Sequence, residues 1–169
     1  PKRPENRQVA AALQTGIPVL KRETFLPQLI GSRQTIAIAG THGKTTTTAL
    51  IAYLLSRMGS DPSYIIGGYS PDLGGSAHAG DDDRFVIEAD EYDHMFLGLH
   101  PQIAVVTSIE HDHPDFYPTP KEYMLAFKTF LDGINQSGVL LACLDDPGSA
   151  ELLNNFIPAN RRTLGYSTS

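Results

Sequence analysis

The 169-residue chain has one cysteine and no tryptophan, and its 13 lysines and arginines are outnumbered by 19 aspartates and glutamates, for a formal charge of -6. A single Cys143 excludes an intramolecular disulfide and fits a reducing compartment. Its setting, Val139-Leu140-Leu141-Ala142-Cys143-Leu144, reads as a buried strand thiol and not as a nucleophile. The acidic balance, with no dense Lys/Arg cluster, argues against a broad nucleic-acid surface. No apolar run reaches the roughly 20 residues of a membrane helix, and the opening Pro1-Lys2-Arg3-Pro4 lacks the apolar core of a signal peptide. An Asn-Lys-x-Asp base-reading string is also missing, which argues against a switch GTPase, and no Ser-His or Cys-His pairing suggests a protein nucleophile.

What is present is an ordinary globular composition, 41% apolar, long enough for one well-buried core. One domain is the default. Acids bunch at 81–83 and 88–93, where they can hold divalent cations. The chain begins without Met and ends in Ser167-Thr168-Ser169, so a piece of a longer protein is expected.

The strongest local signal runs from Ile36 to Thr48: the apolar strand Ile36-Ala37-Ile38-Ala39, the turn Gly40-Thr41-His42-Gly43, then Lys44-Thr45-Thr46-Thr47-Thr48 opening a helix. Gly40 and Gly43 let backbone approach phosphate oxygens, N–H groups at the helix start point at the anion, and Lys44 can neutralise it. Thr45 or Thr46 can ligate Mg²⁺. The common pattern wants a glycine five residues before Gly43, where Ile38 stands. A plain strand-turn-helix joint with a solvated lysine is the competing reading. Four consecutive threonines oppose it, because β-branched residues are mediocre helix formers.

Along the chain, helices are expected over 5–14 and 23–31 with a short strand Ile17-Pro18-Val19-Leu20 between them, and no chemistry is assigned there. Leu50, Ile51, Leu54, Leu55 and Met58 at helical spacing predict a helix over about 44–58, capped near Gly59. Strand Tyr64-Ile65-Ile66 leads into a glycine-rich stretch at 67–80, expected as an irregular loop near a ligand or a flexible excursion. Strands ending at Glu88 and Thr107 follow. Thr119-Pro120-Lys121-Glu122 is a capping box opening a helix to about 134. A strand from Val139, a helix near 147–156 and a strand near 161–165 complete the pattern. Alternation of this kind predicts an α/β fold, a mostly parallel sheet with helices on both faces. Ligands then sit at the carboxyl ends of strands, where the phosphate loop, 88–91, His111 to His113 and Asp145-Asp146 all fall.

Glu88 can reach a cation held by Thr45, since phosphate-bound Mg²⁺ takes only one or two carboxylates. The competing reading of Glu88-Ala89-Asp90-Glu91-Tyr92-Asp93 is a solvated acidic turn and helix start. His113 lies after another strand end between Asp112 and Asp115, and His111 beside it can face solvent. His42 either touches substrate or turns outward. Lys128, in the row Met124, Lys128, Leu131, is a further candidate beside the reading of a snorkelling surface lysine.

Ala39-Gly40-Thr41-His42-Gly43-Lys44-Thr45-Thr46-Thr47, Glu88-Ala89-Asp90-Glu91 and Asp112-His113-Pro114-Asp115, in this order and spacing, resemble the central ATP-binding domain of the Mur ligases, most of all the alanine-adding branch. The resemblance runs from about residue 5 to the end. It implies that residues 1–33 are the tail of a preceding UDP-binding domain and linker, and 34–169 a truncated central domain. It further implies that Gly40, Thr41, His42, Gly43, Lys44, Thr45 and Thr46 hold ATP, that Thr45 and Glu88 hold one Mg²⁺, and that Glu88 and His113 hold a second. Lys128 matches the place of a carbamylated lysine in several members, a modification not generally described for the alanine-adding branch. The implied substrates are UDP-N-acetylmuramate and L-alanine, joined through an acyl phosphate in peptidoglycan precursor synthesis. Catalytic roles then fall to Lys44, Glu88, His113 and Lys128, with this piece inactive alone and located in the cytoplasm. A related ligase that attaches a recycled tripeptide is the nearest alternative, with Tyr92 compatible with both, and a non-catalytic nucleotide-binding module is the alternative of another class.

Overall fold

A computed structural model describes residues 6–157 and 161–168. Its centre is a seven-stranded sheet of order β3-β2-β4-β1-β5-β6-β7. The strands are β1 Gln34–Ala39, β2 Ser63–Ser70, β3 Gly75–His78, β4 Arg84–Glu88, β5 Ile103–Val106, β6 Val139–Cys143 and β7 Arg162–Tyr166. All neighbours pair parallel except β2 and β3. The helices are α1 Arg7–Gln14, α2 Arg22–Ile30, α3 Lys44–Arg57, α4 Pro120–Asp132 and α5 Pro147–Phe156.

Side chains alternate across a strand, and both faces here are covered. On one face Ala37, Ala39, Phe85, Ile87, Ala104, Val106, Leu140 and Ala142 join a core with residues of α2, α4 and α5. On the other, Ile38, Val86 and Val105 pack with Tyr64, Ile66 and Ala52 of α3. This explains why the central strands are nearly continuous apolar runs. The expected mostly parallel α/β architecture is present, and the long helices match their predicted ranges to within about two residues.

Local signals close three helix ends, of which the start of α4 and the glycine after α3 were expected. Thr119 and Glu122 form the reciprocal capping box of α4. Asp146 caps α5, its Oδ2 accepting from Ser149 N at 2.7 Å. Gly59, just beyond the last residue of α3, takes φ 89.

Two expectations are overturned. Residues 17–20 form no strand and have no ladder partner, and Ile17 and Leu20 are exposed. The stretch at 67–80 is largely a hairpin: β2 continues to Ser70 and returns antiparallel as β3, its turn tightened by Gly74 N donating to Pro71 O. Glycine content hid the ladder, because backbone hydrogen bonds need no side chain. After Glu91 the chain makes a short 3-10 segment, Tyr92–Gly98, broken by positive φ at Asp93 and His94. Residue 5, placed in the first expected helix, lies outside the described residues. The opening segment is not all detached, since Leu26 and Ile30 of α2 belong to the main core while α1 buries no residue.

Candidate nucleotide site

Strand β1 sits between β4 and β5, so the chain crosses from one half of the sheet to the other around its carboxyl end, where crevices form in sheets of this kind. Ala39 aligns with Val106 of β5, and Ile38 with Glu88 of β4. The loop 40–43 therefore emerges between the ends of two neighbouring strands. Gly40 takes φ 136, and a Cβ there would run into the Thr107 side chain. Thr107 and Ser108 brace the loop from β5: Thr107 Oγ1 donates to His42 O, and Ser108 Oγ accepts from His42 N at 3.0 Å. Helix α3 starts after Gly43 in the left-handed conformation, with no side-chain cap, so its first N–H groups are left for another acceptor.

Lys44 folds back over this loop. Its Nζ donates to Gly40 O at 2.6 Å and Thr41 O at 3.4 Å. The same ammonium donates to Glu91 Oε1 at 3.1 Å and lies 2.9 Å from Oε2, which receives no aligned hydrogen bond. Glu91 is buried, and Tyr123 of α4 donates to its Oε1 at 3.1 Å. The Tyr123 hydroxyl also meets Thr41 Oγ1 at 3.0 Å. His113 Nε2 lies 3.7 Å from Glu91 Oε1, on a backbone at φ 55, sparsely populated for residues other than glycine. Burial, followed by the charge of Glu91, pushes the Tyr117 phenol well above its ordinary range. Burial does the same to Tyr123, more than offsetting the Thr41 hydrogen bond.

A second grouping faces strand β2. Glu88 Oε2 accepts from Gly67 N at 2.7 Å. A Cβ on Gly67 would fall on the Glu88 carboxyl group, and one on Gly68 would come within 3.3 Å of Thr45 Cγ2. The paired glycines thus bring Glu88 and the exposed Thr45 up against adjacent residues of one strand. Thr45 and Glu88 offer hard oxygen donors of the kind Mg²⁺ takes when most of its other ligands are phosphate and water. Among the described residues no three His, Cys, Asp or Glu side chains converge as a metal cage, which is the arrangement such a phosphate-bound ion does without.

Of the sequence candidates, Lys44, Thr41, Gly40 and His113 gather around Glu91, and Thr45 and Glu88 around Gly67-Gly68. Among the described residues no hydrogen bond or ion pair joins His113 to Glu88. Thr46 is exposed on the first turn of α3. His42 turns outward, 3.4 Å from Glu110 Oε2. His111 Nε2 is bonded to Tyr117 O. Lys128 is not brought to the site: its Nζ pairs with Asp132 Oδ2 at 2.8 Å, one turn along α4. At about 100° per residue, Lys128 lies well around the helix from Tyr123, the residue of α4 that bonds Glu91. Asp145 and Asp146 also serve backbone, Asp145 accepting from Thr168 and Asp146 from Ile109 and Ser149. Glu91 and Tyr123 are the residues sequence reasoning missed as site members. Glu91 was only one of a run of acids, and Tyr123 sat on an apolar helix face as a core residue.

The family described as the Mur ligase middle domain matches residues 38–169. The chain belongs to this family. As a Mur ligase middle domain it is 46% identical over 154 residues to UDP-N-acetylmuramate–L-alanine ligase of Roseiflexus sp. (strain RS-1), covering 90% of this chain and 33% of that protein. Against the ligase of the same name from Rhodococcus erythropolis it is 40% identical over 168 residues, covering 98% and 34%. This middle domain is also similar in fold to a solved UDP-N-acetylmuramate:L-alanyl-gamma-D-glutamyl-meso-diaminopimelate ligase from Neisseria meningitides, with TM-score 0.81, 25% identity, and coverage of 95% and 55%. The chain spans about a third of the length of the curated relatives it matches. Among the described residues no helix is long and apolar enough to cross a membrane.

Proposed function

We propose that this chain is the ATP-binding part of a ligase that joins the carboxylate of UDP-N-acetylmuramate to L-alanine in the cytoplasm. Residues 34–169 supply the central domain and 1–33 the end of the UDP-binding domain before it. The observation that carries the reading is the loop at the carboxyl end of β1, where Lys44 and the uncapped start of α3 offer a charge and N–H donors to one anion. Curated relatives of that name, 40 to 46% identical, support the substrate pair.

In this reading a substrate carboxylate oxygen attacks the γ-phosphorus of ATP, the bond to the bridging oxygen breaks, and ADP leaves. The amine of L-alanine adds to the resulting acyl phosphate, loses a proton, and inorganic phosphate departs. Lys44 and the loop N–H groups stabilise charge on the transferring phosphoryl oxygens. Thr45 and Glu88 would hold one Mg²⁺, and Glu88 and His113 would each offer a donor to a second; the ions would supply neutralisation of phosphate charge. No protein nucleophile is required. Lys128, paired with Asp132 on α4, is given no role in this reading.

Calorimetric titration of the chain with ADP and Mg²⁺ tests the reading. Lys44→Ala is expected to weaken binding about tenfold or more, and unchanged affinity overturns it. The tripeptide ligase fold neighbour supports a second reading, in which a peptide replaces L-alanine. Assay of the full-length parent with each amine separates the two.

A further inference from the structure

Glu91 is the most enclosed acid near the loop, with its side chain 1% exposed and that of its partner Lys44 13%. A lysine ammonium has three N–H donors. Here they are directed at Gly40 O, Thr41 O and Glu91. For Lys44 to meet a phosphate, some of these bonds must be exchanged. The two backbone carbonyls are neutral, and a phosphate oxygen replaces either with a stronger, charge-assisted bond. Glu91 is different. Removing the lysine would leave a carboxylate in the protein interior with the Tyr123 hydroxyl and the more distant His113 ring, and breaking a buried ion pair by taking away one partner is strongly unfavourable.

Tyr123 holds this carboxylate from the far side and ties it to the loop, because the same hydroxyl meets Thr41 Oγ1. Thr41 Oγ1 accepts from Glu110 N at 2.9 Å, and its single proton is shared between Glu110 O at 2.8 Å and the Tyr123 hydroxyl oxygen at 3.0 Å. The acceptor for Lys44 is therefore built into the space between β1, the segment after β4, and α4.

We propose that Glu91 is a tether that remains bonded to Lys44 when phosphate binds, and that its negative charge holds the affinity of the loop for nucleotide phosphate below what Lys44 alone would give. Glu91 acts through Lys44 as a positioning residue and touches no phosphate itself. The lysine swings only far enough to trade its carbonyl partners for phosphate oxygens. The result is a loop that recognises phosphate yet lets ADP exchange.

This rests on the nucleotide reading above. Glu91→Gln preserves the shape and an acceptor oxygen while deleting the charge. With one charge removed a few ångströms from the phosphates, ADP is expected to bind about tenfold more tightly by calorimetry. A residue serving structure alone would lower or leave affinity on substitution, so unchanged or weaker ADP binding overturns the tether. ADP failing to bind the unsubstituted chain overturns the nucleotide reading and the tether with it. Acetic anhydride labelling read by peptide mass spectrometry needs no variant. Lys44 is expected to react at least tenfold more slowly than the exposed Lys121, with and without ADP, and equal rates in either state overturn the tether.

Discussion

The Glu88 carboxylate accepts a 2.7 Å hydrogen bond from the N–H of Gly67, at a point where any Cβ on residue 67 would occupy the position of that carboxyl group. Gly67→Ala must therefore move Glu88 or bend β2. Mg²⁺-dependent tightening of ADP binding is expected to fall about tenfold in this variant, while ADP binding without Mg²⁺ changes little. Calorimetry with and without the ion makes the comparison.

Gly40 combines a positive φ with the Thr107 side chain in the path of a Cβ. Gly40→Ala is expected to destabilise the chain by about 1–3 kcal/mol, the range for a backbone held in a sparsely allowed conformation. Urea unfolding measures it, and a loss below about 0.5 kcal/mol contradicts the crowding seen here.

Asp146 Oδ2 accepts from both Ser149 N and Ile109 N, capping α5 and fastening the segment after β5. Asp146→Ala is expected to cost about 1–2 kcal/mol, at the upper end for a lost N-cap because a second backbone donor also loses its partner. Asp146→Asn should recover part of that loss in the same unfolding experiment.

Lys128 and Asp132 form a partly exposed pair one helical turn apart. Lys128→Ala is expected to change stability by no more than about 0.5 kcal/mol and to leave ADP affinity unaltered. A clear loss of nucleotide binding would return this lysine to the site.

Tyr117 and Tyr123 carry phenols raised by burial. In the unfolded chain they ionise near pH 10; folded, they keep their protons to higher pH. Above about pH 10 the unfolded state binds fewer protons, so stability is full below that pH and falls as pH rises through it. Chemical denaturation between pH 8 and 11 should show this decline, and Tyr123→Phe should make it shallower. An equal slope in the variant would show that Tyr123 ionises without unfolding.

What the sequence determined by itself is what neighbouring residues decide together. Ile36 to Thr48 announces strand, turn and helix because apolar run, glycines and lysine are contiguous. Thr119 with Glu122 marks the start of α4 because a capping box closes within one helical turn. Alternation of apolar strands with helices points to a parallel sheet, since each helix serves as a crossover and covers a face of the strands it joins. The tertiary structure alone decided which charges meet. Lys44 and Glu91 are 47 residues apart, and Gly67 and Glu88 are 21 apart; each pair is joined by the order in which strands lie side by side. The hairpin at 63–78 was obscured because its pairing runs through backbone groups that glycine leaves unmarked. Lys128 looked like a site residue by spacing and pairs instead with Asp132, while Glu91, one acid among several in the sequence, became the buried partner of the phosphate-loop lysine.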